Sequence, residues 1–369
     1  MIVTVMVYIL SFLIVLSIIV IVHEFGHFSV ARMLGIKVDE FSFGFGKELY
    51  AYQKQGGTRF KFCLIPLGGY VKMAGDDDAS SLKKSERLAA MSEEEKKVCF
   101  HFQPVWKKFL VILCGPLMNY VFAIVLLTGM FTFYGLTKID PVVGDVLKDS
   151  PAMVAGIQKG DLIIRVNDEP ISEFIEIKRA IGKYGIEPVN VYVRRDGKEL
   201  KFVMKPDRKG DDFLIGIASG TGHVKYEKIG FGRAFCESVK LAWNISADTV
   251  VYLGQMIRGK RSADGMRGPL GIAEASGDAF NMGFANFMLF LAHISVALGL
   301  FNLFPVPLLD GGHLVIYIVQ CIRGGKELSE KAEMILAYTG FAVLIVLLSF
   351  AMWNDIYRLF NRVADFLKK

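Results

Sequence analysis

The sequence predicts a polytopic α-helical membrane protein: four transmembrane helices with the third one broken, a membrane-associated β-hairpin region, and one extracytoplasmic α+β domain. Three observations carry this. Charge-free stretches run Met1–Val22, Phe109–Thr137, Ala279–Leu309 and Met334–Asn354, and each is long enough to cross a hydrocarbon core that needs about 20 apolar residues. Between the second and third lies Lys138–Asp278, whose ordinary soluble composition leaves room for one domain plus a helix. Within the third, Pro305, Pro307, Gly311 and Gly312 interrupt the apolar run, and no regular helix continues through such a segment.

Composition agrees. The 369 residues are 53% hydrophobic and 22% charged, which excludes a disordered, collagen-like or disulfide-knot chain and argues against a wholly cytosolic enzyme. Cys63, Cys99, Cys114, Cys236 and Cys321 are scattered and never form CxxC, so neither a disulfide framework nor a cysteine zinc site is written here. The net charge of +6 comes from basic residues interspersed with acidic ones. That pattern gives no nucleic-acid surface, and the lipid bilayer is the partner it suits.

In chain order, residues 1–36 form the first transmembrane helix. They lack the basic n-region and small-residue cleavage site of a signal peptide. Residues 37–104 hold the hairpin region. Glu48–Lys54 and Thr58–Leu64 flank a Gln55-Gly56-Gly57 turn, Tyr70-Val71-Lys72 follows a second glycine pair, and a polar surface helix or loop runs from Asp76 to Lys97. The second span covers 105–137 and contains a break at Gly115-Pro116. The α+β domain covers 138–208, where short apolar runs alternate with turns, and amphipathic helices with a linker cover 209–278. The broken third span covers 279–323, and the fourth span with its tail covers 332–369.

Arg32 and Lys37 follow the first span, Lys107 and Lys108 precede the second, and Arg323, Lys326 and Lys331 separate the third from the fourth. By the positive-inside rule these place one side in the cytoplasm and both termini outside. Arg358, Arg362, Lys368 and Lys369 in the tail point the other way.

The sharpest chemical signal is His23-Glu24-Phe25-Gly26-His27. With six histidines in the chain, chance supplies about 0.005 HExxH motifs. Residues four apart share a helix face, so two imidazoles can grip one metal ion with the carboxylate beside its open position. Ionisable groups inside a membrane span are costly and functional by default; the bland alternative is a histidine pair touching headgroups. A catalytic zinc takes a third protein ligand, and His293, Asp310 and His313 are the candidates in apolar surroundings. Asp310 sits at the break, where irregular backbone lines a cavity; His313 is the runner-up, and His293 suits a bond to a neighbouring helix. His101 and His223 read as surface residues. Asn302 could donate to an oxyanion or cap its helix, and Asn119 could bond the break in the second span.

These segments resemble a known family. HEFGH together with Asn302-Leu303-Phe304-Pro305-Val306-Pro307-Leu308-Leu309-Asp310-Gly311-Gly312-His313 is similar to the site-2 protease family of intramembrane zinc metalloproteases. Gly68-Gly69-Tyr70-Val71, Gly115-Pro116-Leu117-Met118-Asn119 and Gly268-Pro269-Leu270-Gly271-Ile272-Ala273 resemble its bacterial branch, the regulator-of-sigma-E proteases. Ser150-Pro151-Ala152 through Gly160-Asp161 resembles a circularly permuted PDZ domain, with room for one where well-known members carry two.

The resemblance implies a Zn2+ ion on His23, His27 and Asp310, Glu24 as catalytic base, and Asn302 as stabiliser of substrate or intermediate. It implies four core helices, an active site near the cytoplasmic face of a bacterial inner membrane, and an extracytoplasmic PDZ domain. It also implies single-span membrane proteins as substrates, such as anti-sigma factors or remnant signal peptides. A strand within 48–72 could hold an unwound substrate by edge pairing, and a backbone nest at Val142-Val143-Gly144-Asp145 could capture a peptide C-terminus. Two other functions fit parts of the pattern: a metal-ion or proton transporter using the intramembrane His and Asp residues, and a non-catalytic PDZ scaffold.

Overall fold

The computed structural model describes residues 2–75, 91–209, 212–220, 224–259 and 266–367. The chain divides into two compact units, Met1–Thr128 with Phe235–Thr249 and Asp264–Lys369, and Gly129–Ala234 with Val250–Ala263.

The first unit is helical. Among the described residues four helices are long and apolar enough to cross a membrane: Val3–Met33, Val105–Tyr134, Phe284–Asn302 and Lys331–Phe360. The first lies within α1 (Ile2–Met33). Its Val15 and Ile19 pack with Ala279, Phe287 and Leu291 in one buried cluster, where each such side chain contributes about 1.5–3 kcal/mol in water; in lipid, close packing has to do this work.

After α1 the chain forms β1 (Val38–Gln53) and β2 (Arg59–Met73). These are two bent strands rather than the shorter ones expected, and β1 begins at Val38. Phe41 pairs with Val71 on one side and with Phe60 on the other. The bends fall at Gly44 and Gly46, both at φ +87°, and at Gly68, φ +111°; this left-handed backbone suits glycine and marks strand bulges. Phe28 of α1 packs edge-on against Phe41 and Phe60, at 5.3 and 5.8 Å between centroids, which seats the sheet on the helix. Residues 76–90, part of the expected polar helix or loop, lie outside the described residues. A short α2 (Glu93–Val98) follows, opened by a Ser92–Glu95 capping box.

The second span is α3 (Val105–Tyr134), which runs unbroken through Pro116; the break expected there does not occur. Proline leaves one carbonyl a turn earlier without its usual partner, yet the helix continues past it.

The second unit begins with β3 (Leu136–Ile139) and β4 (Val143–Val146). Next comes α4 (Pro151–Ala155), whose sequence is its own punctuation. The Ser150 hydroxyl accepts the Met153 N–H, Pro151 sits in the first turn, and Gly156 closes the helix at φ +95°. A four-stranded sheet of β5 (Leu162–Val166), β6 (Glu169–Pro170), β7 (Val189–Arg195) and β8 (Lys198–Met204), in order β6-β5-β7-β8, packs on α5 (Phe174–Tyr184). Ile163, Val166, Ile177, Ile181, Val191 and Val193 fill that core.

The expected end at 208 falls inside this unit. β9 (Asp207–Lys209) and β10 (Asp212–Leu214) form a ribbon, β11 (Ile217–Ser219) pairs with β4, and β12 (Val224–Glu227) pairs with β3. Residues 212–219 and 224–227 are therefore largely strand, not linker or helix. These strands are too short to show a period; β10 pairs with the adjacent β9, and partners some 70 residues or more away in sequence select the state of β11 and β12.

Before the break come α6 (Phe231–Ile257), α7 (Pro269–Asn281) and α8 (Phe284–Asn302). After the break come α9 (Asp310–Ile322) and α10 (Glu330–Leu367). Tyr8 of α1 donates to Asp278 of α7 at 2.9 Å, and the Asp355 carboxylate of α10 accepts the Gly268 and Gly271 N–H groups at the start of α7.

Candidate metal centre

Three elements of the first unit meet at one point. On α1, His23 and His27 lie one turn apart on the face turned inward, each 7% exposed. Their Nε2 atoms are 3.1 Å apart. On α9, Asp310 is the first helical residue, and its Oδ2 stands 3.0 Å from His23 Nε2 and 3.6 Å from His27 Nε2.

The break between α8 and α9 delivers that carboxylate. Leu308 takes φ +79°, a strained conformation for a leucine, between Pro307 and the start of α9. A Cβ at Gly311 would strike the Leu303 and Phe304 carbonyls, and one at Gly312 would lie 2.8 Å from Pro307 Cα. Two glycines therefore let the loop fold back over the first turn of the helix it precedes.

The third element is α3. Val111 carbonyl oxygen lies 2.9 Å from His27 Nδ1, so it accepts the proton from that nitrogen and leaves the Nε2 lone pair free. A Cβ at Gly115 would overlap the His27 ring and come 3.0 Å from His23 Cε1. A Cβ at Gly26 on α1 would lie 2.9 Å from Met118 Cβ. The glycine inside HEFGH and the glycine of α3 thus let the two helices approach until the imidazoles fit between them.

The donor set suits zinc. A tetrahedral ion with bonds of about 2.0–2.1 Å holds its ligands about 3.3 Å apart, and the three atoms here are separated by 3.0, 3.1 and 3.6 Å. Asp310 Oδ2 is buried yet satisfies no hydrogen-bond geometry, an orphaned acceptor that calls for a cation. Among the described residues no other three such side chains converge. Glu24, next to His23 in the chain, has its carboxylate bonded by the Val71 backbone N–H of β2.

Other sequence candidates lie elsewhere. His313 is exposed on α9 and outside the cluster. His293 is exposed and bonds the Leu289 carbonyl of its own helix at 2.8 Å, not a neighbouring one. His101 stacks edge-on with Phe102, and His223 lies outside the described residues. Asn302 is the last residue of α8, half-buried, with Leu303 in the cap position in right-handed backbone. The nest expected at Val142–Asp145 is already used: the Val142 and Val143 N–H groups donate to Asp140 and Asp161 at 2.7 and 2.8 Å, and Asp145 pairs with Ala218.

Asn119, expected only to mend a break, instead faces His23: its amide nitrogen lies 3.4 Å from His23 Nδ1. The signal was the spacing Gly115-Pro116-x-x-Asn119, which puts a side-chain-free position and an amide one turn apart on one face.

Comparison with known proteins agrees with this geometry. The model of peptidase family M50 matches residues 11–347. A protein of Rhizobium meliloti named "Putative zinc metalloprotease" is 38% identical over 95% of this chain and 96% of its own length. Metalloprotease MmpA of Caulobacter vibrioides is 30% identical over 94% of this chain and 95% of its own. With these matches, four apolar helices and a cluster built for a tetrahedral ion, the chain belongs to peptidase family M50, the site-2 protease family, and is a multi-pass membrane zinc metalloprotease.

Proposed function

We propose that this enzyme is an intramembrane endopeptidase that cuts the transmembrane segments of single-span membrane proteins, with His23, His27 and Asp310 as its zinc ligands and Glu24 as its general base. The observation that carries the reading is the convergence of three ligand atoms, two from a helix apolar and long enough to be a span and one from the shorter apolar helix α9. When bound, the ion supplies Lewis acidity, polarising a substrate carbonyl and making water acidic enough to attack near neutral pH.

Glu24 takes the proton from the attacking water and returns it to the leaving amine. Its bond from the Val71 N–H fixes the carboxylate against the sheet. Asn302, eight residues before Asp310, steadies the substrate or the oxyanion. The Gly69–Met73 end of β2 pairs with β1 on one side only. Its other edge, apart from the Val71 N–H given to Glu24, can hold an unwound substrate strand, and a helical segment needs such unwinding before its peptide bonds become accessible.

The second unit supports assignment as one PDZ domain of the bacterial kind: a capped α4, the antiparallel sheet with α5, and a final strand closing on the first. The short-range basic residues support a cytoplasmic-side active site and an extracytoplasmic second unit in a bacterial inner membrane. Anti-sigma factors or remnant signal peptides fit as substrates in regulated intramembrane proteolysis. A peptide C-terminus recruited by the second unit belongs to the same proposal.

The test is cleavage of a single-span model peptide by the full chain in liposomes, followed by mass spectrometry. The expected result is cutting within the apolar segment, abolished by 1,10-phenanthroline and restored by added zinc. Cutting that survives the chelator, or zinc flux into the vesicles without any cutting, contradicts the proposal.

A further inference from the structure

We propose that Asn119 is a positioning residue that fixes the ring of His23, its amide oxygen accepting the His23 Nδ1 proton so that Nε2 presents its lone pair to the metal. The inference rests on the zinc reading of the site given above.

The two imidazoles of the cluster face the same requirement. A ligating histidine donates its second ring proton to an acceptor, which sets both tautomer and ring angle. His27 has its acceptor in the Val111 carbonyl at 2.9 Å. At His23 Nδ1 the corresponding group is the Asn119 side-chain amide, 3.4 Å away and fully buried.

As placed, the amide nitrogen faces Nδ1 while Asn119 Oδ1 is buried with no hydrogen-bond partner. Amide oxygen and nitrogen are exchanged by a half-turn of the group, and the hydrogen-bond network decides between the two settings. With nitrogen inward, the amide donates to Nδ1; the ring proton then sits on Nε2, where it blocks the metal and faces His27 Nε2. With oxygen inward, Oδ1 gains its partner, Nδ1 keeps the proton, and Nε2 is free. One rotation thus gives the oxygen a partner, turns the NH2 group to the position the oxygen held, and sets the tautomer that the metal needs.

The surroundings hold Asn119 in register for this. Ser295 of α8, itself fully buried, donates its hydroxyl proton to the Asn119 backbone carbonyl at 2.9 Å. A Cβ at Gly299, one turn further along α8, would lie 2.9 Å from the Pro116 carbonyl oxygen, so the two helices pack backbone to backbone here. The helix that leads to Asp310 therefore also clamps the residue behind His23.

The experiment compares full-length wild type, N119D and N119L for zinc dissociation constant by chelator competition, and for thermal stability of the metal-free protein in detergent. Asp retains an acceptor oxygen but buries a charge; Leu has similar bulk and no acceptor. The inference predicts that N119D binds zinc within about 3-fold of wild type and N119L about 10–100-fold more weakly, while the metal-free stabilities rank the other way. A residue that serves packing alone makes zinc affinity follow metal-free stability, and that result overturns the inference.

Where a variant fails to fold, the wild type decides. In zinc-loaded protein labelled with 15N at histidine, the His23 Nδ1–H, assigned by its loss in H23Q, is expected as an exchange-protected proton. A rapidly exchanging Nδ1–H contradicts the inference. Wild type that binds no zinc at all strikes the zinc reading instead, and so the two failures are distinguishable.

Discussion

Glu24→Gln is expected to bind zinc as wild type does and to cleave about 100- to 10,000-fold more slowly, the range that general acid–base catalysis contributes. The separation follows from the geometry. The three atoms that could hold the ion belong to His23, His27 and Asp310, and Glu24 stands beside them with its carboxylate bonded by the Val71 N–H. Glutamine keeps the size and the bond to β2 and loses only the capacity to accept a proton. Zinc content by atomic absorption, run beside peptide cleavage on the same preparations, reads both halves. Equal cleavage by Glu24→Gln and wild type removes the base from the mechanism, and loss of zinc in the variant moves Glu24 into the ligand set.

The second large effect comes from a residue with no side chain. In Gly115→Ala the added Cβ would overlap the His27 ring and crowd His23, so one or both imidazoles must leave the position from which their Nε2 atoms converge. Displacements near 1 Å at a catalytic constellation cost about 100-fold in rate, and zinc occupancy is expected to fall with it. Gly129→Ala on the same α3 is the matched comparison. A Cβ there meets nothing within 4 Å, and alanine's helix preference is worth about 1 kcal/mol, so metal binding and cleavage are expected to hold. Full zinc and full activity in Gly115→Ala contradicts the packing described for α1 and α3.

How much of this was legible before the structure depended on how local each relation is. HExxH is a relation within one turn of one helix, and Asp310 announced itself by the prolines and glycines around it. Both can be read along the chain, and both lie where they meet. Asn119 is the opposite case. Its neighbour is 96 positions away, and an asparagine beside a proline inside an apolar run has a sufficient local explanation in mending a break. α3 has no break at that point; it is held by packing across helices, and packing partners leave no periodicity in the sequence.

The strands show the same division. The Gln55-Gly56-Gly57 turn is legible in the sequence, whereas Val38–Phe43 is strand through its pairing with β2 on both sides, beyond bends at Gly44 and Gly46. In the second unit, α4 and its caps were readable from Ser150 to Gly156, whereas β11 and β12 were not. A three-residue strand such as Ile217–Ser219 owes its state to β4, 71 to 76 positions earlier. Asn302 divides the account differently: its position before the break was clear, while nothing local distinguishes a substrate contact from a residue that ends a helix.

The central claim is that one zinc ion is held by two α1 imidazoles and the α9 carboxylate. X-ray absorption at the zinc edge on the purified full-length chain tests it most directly. The account predicts a first shell of nitrogen and oxygen only, at about 2.0–2.2 Å, with two imidazole outer-shell signatures that fall to one in His27→Gln and a light-atom shell that changes in Asp310→Ala. A sulfur scatterer at about 2.3 Å, or an unchanged spectrum in both variants, would place the metal elsewhere and contradict it.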